Sequence, residues 1–171
     1  IEDLQNFILE KEHKFPGSYI LRAIAGLDTA WWDMRGKIEN KPVVSLLNGT
    51  PGKLRVYGSS MKRDISPQDE ANRFIKLQDK YGINAFKFRI GSECGRNIDE
   101  WPGRSEDIVK IINKNLDPSS EKLVDANSCF SPERAIQLGH ILEDNGVSHY
   151  EEPCPYWKPE QTLKVTNALK I

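Results

Sequence analysis

The sequence lacks several features that mark whole classes of protein. Its three cysteines are odd in number and widely spaced, with no Cys-x-x-Cys pair, so we expect a reduced, cytoplasmic setting. No apolar run approaches the roughly 20 residues that a membrane-spanning helix needs. The 24 basic and 25 acidic residues nearly balance, which argues against a nucleic-acid-binding surface and a polybasic membrane patch. We therefore predict a protein that binds neither nucleic acid nor membrane.

The two ends of the sequence do not resemble natural domain boundaries. The 171 residues could enclose one sizeable core. However, the chain begins at Ile1 inside a helix-like segment and stops at Ile171 directly after an amphipathic one, whereas boundaries usually fall in flexible linkers. We expect a piece of a longer protein. Residues 1–50 have a helical pattern, with a break at Lys14-Phe-Pro-Gly-Ser.

Strand-like and helix-like segments then alternate four times. The predicted strands are residues 54–60, 84–91, 122–125 and 147–151, and the predicted helices are residues 66–81, 105–115, 132–145 and 159–169. This alternation predicts parallel strands joined by right-handed crossovers. Half of an eight-stranded barrel and an open doubly wound sheet both fit. No G-x-G-x-x-G or G-x-x-x-x-G-K-[ST] signature is present, so nucleotide-binding interpretations lose support.

Carboxylates stand at the carboxyl ends of the third and fourth predicted strands. These residues are Asp125 and Glu151. Carboxylates from neighbouring strand ends converge above a parallel sheet, where they repel each other unless a hard cation lies between them. One interpretation makes both residues oxygen ligands for Mg²⁺. In the other, Asp125 caps a turn and Glu151 lies on a solvated edge, and the spacing alone leaves both open.

Two cationic residues stand at the end of the second predicted strand. Lys87 and Arg89 alternate along it and therefore point to the same face. If that face is the interior, the two buried cations need anions beside them. The alternative is an outward face paired with helix carboxylates. The flanking Phe86, Phe88 and Ile90 favour the interior, because this apolar set would then pack under the helices.

Four motifs together resemble the mandelate racemase and muconate lactonizing enzyme branch of the enolase superfamily. Residues 23–37 (AIAGLDTAWWDMRGK) are similar to the family's first signature, and Asp125-Ala-Asn127 with Glu151-Glu152-Pro153 follows its second. The interval from Asp125 to Glu151 matches that between the family's first two metal ligands. Lys87-Phe-Arg89 stands where the family has a Lys-x-Lys or Lys-x-Arg strand. The resemblance spans nearly the whole chain in the right order.

This resemblance implies an α/β fold with about half of a TIM-type (β/α) barrel. Residues 1–50 would be the helical C-terminal part of an α+β capping domain and its lead into the barrel. Residues 51–171 would be the first four βα units. The resemblance also implies Mg²⁺ bound by Asp125 and Glu151, with a third ligand expected beyond Ile171, and a homo-oligomeric intact protein.

The family's shared step is removal of a proton α to a carboxylate, which gives an enediolate. Arg89 stays protonated and cannot be the base. We therefore expect either Lys87 to take the proton or a base from a later strand to do so while Arg89 stabilises negative charge. The expected substrate is a small carboxylate, with dehydration of a sugar acid as the first expectation. The alternatives are a racemase, epimerase or cycloisomerase, or a non-catalytic fragment or interaction module.

Four further residues are candidates for substrate contact or for support of the metal ligands. Asn127 would donate a hydrogen bond to a substrate oxygen or orient the Asp125 loop. Glu152 is expected to support a ligand rather than to bind metal. Ser59 and Ser60 would touch substrate or cap a loop. Trp101-Pro-Gly-Arg has no motif-based role. We expect residues 1–171 alone to be inactive and prone to associate through open sheet edges.

Overall fold

The computed structural model describes residues 1–12 and 17–171. The predicted break at residues 14–18 therefore lies mostly outside the described residues. The chain divides into two compact units, residues 1–54 and residues 55–171. Among the described residues, no helix combines the length and apolar character that crossing a membrane requires.

The first unit is helical, as the pattern of residues 1–50 predicts. Its helices are α1 (Glu2–Lys11), α2 (Ser18–Glu39) and α3 (Val43–Leu46). The side-chain amide of Gln5 on α1 donates a hydrogen bond of 3.0 Å to the carboxylate of Asp28 on α2. Helix α2 ends at Asn40, whose φ of 48° turns the chain toward α3. Most large apolar side chains of this unit are exposed, including Phe7, Tyr19 and Leu27.

The second unit alternates strands and helices four times. Its elements are β1 (Gly58–Ser59), α4 (Pro67–Tyr81), β2 (Ala85–Arg89), α5 (Arg104–Asn115), β3 (Glu121–Asp125), α6 (Pro132–Asp144), β4 (Val147–Glu151) and α7 (Pro159–Ala168). The strands form one sheet in the order β1-β2-β3-β4, and every neighbouring pair is parallel. This order is the one predicted for half of a barrel, and it excludes the interleaved order of a doubly wound sheet.

The starts of two helices follow from their capping residues. Ser66 precedes α4, and its hydroxyl accepts a hydrogen bond of 3.1 Å from the amide of Asp69. Ser131 has the same role before α6, where it accepts from the amide of Arg134. In both helices a proline follows the cap, where its missing N–H removes no helical hydrogen bond. These contacts explain why both helices begin within one residue of the predicted positions.

The predicted first strand is too long. Residues 54–60 have a strand-like pattern, but only Gly58–Ser59 is a strand, and Leu54 and Val56 are 87% and 68% exposed. Gly58 pairs with Phe86, which is the second residue of β2. Residues 54–56 therefore extend past Ala85, the start of β2, and find no ladder partner among the described residues.

The core of the second unit lies between the sheet and its helices. Phe86, Phe88 and Ile90 are fully buried there, as the alternation along the second strand predicts. Lys87 and Arg89 occupy the opposite face and are 7% and 8% exposed. The prediction that both cations point to the interior face is therefore confirmed, and their anionic partners define the candidate site.

Candidate active site

The sheet register brings the ends of three strands side by side. Arg89 is opposite Asp125, and Asp125 is opposite Glu151. Opposed residues of parallel strands point to the same face of the sheet, so these three side chains share the interior face with Lys87. The structure therefore brings together the two cations and the two carboxylates that strand-end reasoning selected.

Lys87 contacts both carboxylates. Its ammonium Nζ lies 2.6 Å from Oε2 of Glu151 and 3.5 Å from Oδ2 of Asp125. Nζ also lies 5.6 Å from the centre of the Tyr57 ring. Burial lowers the pKa of Lys87, but the hydrogen bond to Glu151 and the charges of both carboxylates outweigh it, so the pKa is raised overall. Lys87 is thus a charged group that offsets the repulsion between the two carboxylates.

Arg89 is held on three sides. Its Nη1 donates to Oδ2 of Asp125 at 2.9 Å, and its Nε donates to the carbonyl of Ser60 at 3.3 Å. Its Nη2 lies 3.1 Å from the sulfur of Met61. Because the guanidinium has contacts on the β1 and β3 sides, Arg89 is a fixed positive charge with little freedom to move.

Asp125 has two roles at once. Its Oδ2 faces Arg89 and Lys87, whereas its Oδ1 accepts a hydrogen bond of 2.8 Å from the amide of Asn127. Asn127 and Ser128 have φ values of 45° and 61°, so the chain turns sharply after β3. The capping contact and the cationic contacts thus involve different oxygens, and the turn-capping interpretation does not compete with a role in the site.

The segments after β3 and β4 stay paired beyond the strands. The amide of Ala126 donates to the carbonyl of Glu151 at 3.0 Å, and the amide of Ser128 donates to that of Glu152 at 2.8 Å. The amide of Phe130 donates to the carbonyl of Pro153 at 3.1 Å. Backbone bonds therefore join the two segments that carry Asp125 and Glu151.

Glu152 is exposed and has a φ of 44°. Its Oε2 accepts a hydrogen bond of 3.2 Å from the hydroxyl of Ser128. The side chain thus contacts the turn after β3. Ser59 is exposed at the end of β1, whereas Ser60 is fully buried. The hydroxyl of Ser60 accepts from the amide of Lys62 at 3.2 Å, so Ser60 caps the loop after β1.

Arg63 is a residue of this region that sequence reasoning missed. Its Nη2 donates to Oδ1 of Asn127, which joins the loop after β1 to the turn after β3. The available signal was the basic pair Lys62-Arg63 shortly after the first predicted strand. Strand-end reasoning stopped at Ser60 and did not reach these residues.

The carboxylates fit a hard divalent cation only in part. Asp125 and Glu151 offer oxygen ligands on adjacent strands, and Lys87 lies close enough to contact both. Within residues 1–12 and 17–171, no cluster of three or more His, Cys, Asp or Glu side chains is arranged to hold a metal. The part of the chain that the structure describes therefore places two carboxylates close together but offers no complete set of metal ligands.

Comparison with known families decides which barrel this is. The family described as enolase C-terminal domain-like matches residues 69–171. The family described as the mandelate racemase/muconate lactonizing enzyme N-terminal domain matches residues 2–48. The chain belongs to the mandelate racemase and muconate lactonizing enzyme branch of the enolase superfamily. The resemblance seen in the four motifs is thereby confirmed.

Individual relatives in this superfamily cover almost all of the chain. Arabinonate dehydratase from Saccharolobus solfataricus is 30% identical, over 99% of this chain and 45% of that enzyme. A crystal structure from Roseobacter denitrificans, provisionally assigned as a racemase, is 56% identical with a TM-score of 0.91, over 99% of this chain and 46% of that one. An enolase from Bradyrhizobium, complexed with magnesium and mandelic acid, is 25% identical with a TM-score of 0.81, over 99% and 45%.

The chain spans less than half the length of the relatives it matches. The four βα units are accordingly about half of an enolase-superfamily barrel. The fold predicted from the sequence is confirmed at this level.

Proposed function

We propose that the intact protein removes the α-proton of a sugar acid and expels its β-hydroxyl group. The observation that carries this proposal is the contact of Lys87 with Asp125 and Glu151, with Arg89 beside them. A carbon acid next to a carboxylate is weak, so the charge that develops on deprotonation needs concentrated positive charge nearby. The interior face of this sheet provides two positively charged side chains. It also provides two carboxylates that are suited to bind a further cation.

Asp125 and Glu151 would hold Mg²⁺ through their carboxylate oxygens. When bound, the ion would supply positive charge beside the substrate carboxylate as its second negative charge develops. We infer that the third ligand lies beyond Ile171. We therefore expect residues 1–171 alone to bind Mg²⁺ weakly and to lack activity.

Within the chain, we assign Lys87 as the group that takes the proton, which requires Lys87 first to lose the proton that its contacts with Asp125 and Glu151 stabilise. Arg89 cannot, because a guanidinium stays protonated, so its role is to stabilise negative charge. Asn127 would donate to a substrate oxygen, with Arg63 fixing its side chain. Glu152 would support the turn that carries Asn127, and Ser59 would contact the substrate from the end of β1.

The domain assignment and the assembly state belong to this proposal as well. We infer that residues 1–50 form the helical end of the capping domain and its lead into the barrel, and that residues 51–171 form the first four barrel units. The exposed apolar side chains of the first unit agree with further chain or another subunit covering them. We propose that the intact protein is a homo-oligomer.

Dehydration is the first candidate reaction because several curated relatives are dehydratases of sugar acids. Besides arabinonate dehydratase, L-talarate/galactarate dehydratase from Salmonella typhimurium is 26% identical over 87% of this chain. The second candidate is a racemase, epimerase or cycloisomerase. It is favoured by the 56% identity with the Roseobacter denitrificans protein and by D-galactarolactone cycloisomerase from Agrobacterium fabrum, which is 29% identical. All these reactions share the deprotonation step.

The test uses the full-length protein with Mg²⁺ and a panel of aldonic and aldaric acids in D₂O. Proton NMR follows the loss of the α-proton signal, and formation of a 2-keto-3-deoxy acid distinguishes dehydration from isomerisation. We expect Lys87→Met and Asp125→Asn each to abolish exchange. Lys76→Met, at an exposed lysine on α4, should retain it. Wild-type turnover after exhaustive chelation would rule out the metal, and full exchange in Lys87→Met would rule out the assigned base.

A further inference from the structure

Arg104 lies behind the candidate site, at the start of α5, and is fully buried. It ends the Trp101-Pro-Gly-Arg segment, to which the proposed reaction assigns no role. Its Nη1 donates a hydrogen bond of 2.9 Å to the backbone carbonyl of Arg89, and its guanidinium lies 5.1 Å from the centre of the Trp101 ring. A buried cation thus contacts the backbone of the residue whose side chain faces the site.

The carbonyl of Arg89 needs such a donor because β1 is short. The amide of Ser60 donates to the carbonyl of Lys87 at 2.8 Å, just past the last register pair of β1 and β2. Alternate carbonyls of a strand face the same neighbour, so the carbonyl of Arg89 points to the side where β1 has already ended. A buried carbonyl without a partner would cost about 1–3 kcal/mol, and Arg104 supplies the partner.

Arg104 also lies within electrostatic range of an opposite charge. Glu70 on α4 is fully buried, and its carboxylate interacts electrostatically with the guanidinium of Arg104. Burial lowers the pKa of Arg104, whereas Glu70, Asp99 and Glu100 act in the opposite direction. Glu70 also forms an ion pair with Arg73, at 3.1 Å.

Ser105 provides a second anchor next to the first. Its hydroxyl oxygen accepts a hydrogen bond of 3.0 Å from the amide of Gly91, while its hydroxyl group donates to the carboxylate of Asp99. Arg104 and Ser105 therefore bind the backbone on both sides of Ile90. The start of α5 fixes the point at which the chain leaves β2.

We propose that Arg104 is a positioning residue for the deprotonation described above. By holding the carboxyl end of β2, it keeps Lys87 and Arg89 in place against Glu151 and Asp125. This inference rests on the proposed function, since it assigns Arg104 a part in that reaction. A displacement of about 1 Å in a reacting group can lower a rate by about 10²-fold, so loss of this anchor has a measurable effect.

The experiment compares Arg104→Met with Arg73→Met in the full-length protein. Both variants remove a guanidinium from the same Glu70, but only Arg104 contacts β2. We expect kcat/KM per folded molecule to fall about 10²-fold in Arg104→Met and less than 3-fold in Arg73→Met. A primary deuterium isotope effect at the α-carbon should increase in Arg104→Met only. A smaller folded fraction lowers kcat without changing the isotope effect, which separates positioning from stability.

If Arg104→Met does not fold, Arg104→Lys and Ser105→Ala test the same proposal. A lysine can still donate to the Arg89 carbonyl, so Arg104→Lys should recover most of the activity, and Ser105→Ala should lose about 10-fold. Equal activity of Arg104→Met and Arg73→Met, or of Ser105→Ala and wild type, would overturn the proposal.

Hydrogen–deuterium exchange tests the anchor without any substrate. Exchange in a peptide spanning residues 86–92 should accelerate in Arg104→Met and stay unchanged in Arg73→Met. If the wild-type protein exchanges no substrate α-proton, the proposed function fails, yet this measurement still reports whether Arg104 holds β2. Unchanged exchange in Arg104→Met would refute the anchor itself.

Discussion

Gly91, at the end of β2, offers a sharp test of how tightly the strand ends are packed. Its φ of 65° is one that residues with a Cβ rarely adopt, and an added Cβ would lie 2.8 Å from Cβ and Sγ of Cys129 and 2.9 Å from the ring of Phe130. The backbone conformation costs alanine about 1–2 kcal/mol. The overlap with two buried side chains adds about 1–3 kcal/mol. Gly91→Ala should therefore lower the free energy of unfolding by about 2–5 kcal/mol.

Gly82→Ala is the matched control. Gly82 has a φ of 66°, but no atom of the described residues, apart from its chain neighbours, lies within 4 Å of the position that its Cβ would take. The control should therefore lose only the backbone contribution of about 1–2 kcal/mol. Urea unfolding of both variants in the full-length protein, followed by tryptophan fluorescence, gives the two losses from the midpoints at constant m value. Equal losses of unfolding free energy would show that the side chains of Cys129 and Phe130 move aside at no cost. That result would refute the close packing around Gly91.

Three further predictions concern a helix cap, the cysteines and the buried charges. Ser66→Ala should destabilise the protein by about 1 kcal/mol in urea unfolding, because it removes the cap of α4, and no change would contradict that role. Iodoacetamide at pH 8 should label exposed Cys94 but not Cys129 and Cys154, because both are buried and burial raises the pKa of Cys154 to about 11. Peptide mass spectrometry measures the labelling, and rapid labelling of Cys129 or Cys154 would contradict their burial. Asp125→Ala, measured in excess EDTA, should cost about 3–5 kcal/mol because it leaves Arg89 without a buried counter-charge and Lys87 with Glu151 as its remaining carboxylate partner, whereas a loss below about 1 kcal/mol would argue against the pairing of Arg89 with Asp125.

The local pattern of the sequence was enough to predict parallel strands and the inward direction of Lys87 and Arg89, whereas the strand order followed from the family resemblance. Alternation fixes the face of a residue once its strand is known, and Phe86, Phe88 and Ile90 identify the face under the helices. The carboxylates of Asp125 and Glu151 could be located as well, because they end strands that are neighbours in sequence. The metal-binding and catalytic roles of these residues stay predictions.

The features that were missed depend on contacts between distant segments. Residues 54–57 have the composition of a strand, but β2 begins at Ala85, so residues 54–56 extend past its start. Arg63 reaches Asn127 across 64 positions, and Arg104 reaches a carbonyl on another element, neither of which a local pattern encodes. Arg104 directly precedes the predicted helix of residues 105–115, and arginine in such a loop position is usually exposed. Its full burial could therefore be inferred only from the structure.

The backbone bonds that continue from Ala126 to Pro153 have a mechanical consequence. They join the segments after β3 and β4 into one rigid unit. Asp125 and Glu151 lie next to each other at the start of this unit. A thermal displacement of either segment carries the other along, so the separation of the two carboxylates varies less than the position of either one. A cation held between them would therefore experience a nearly constant field.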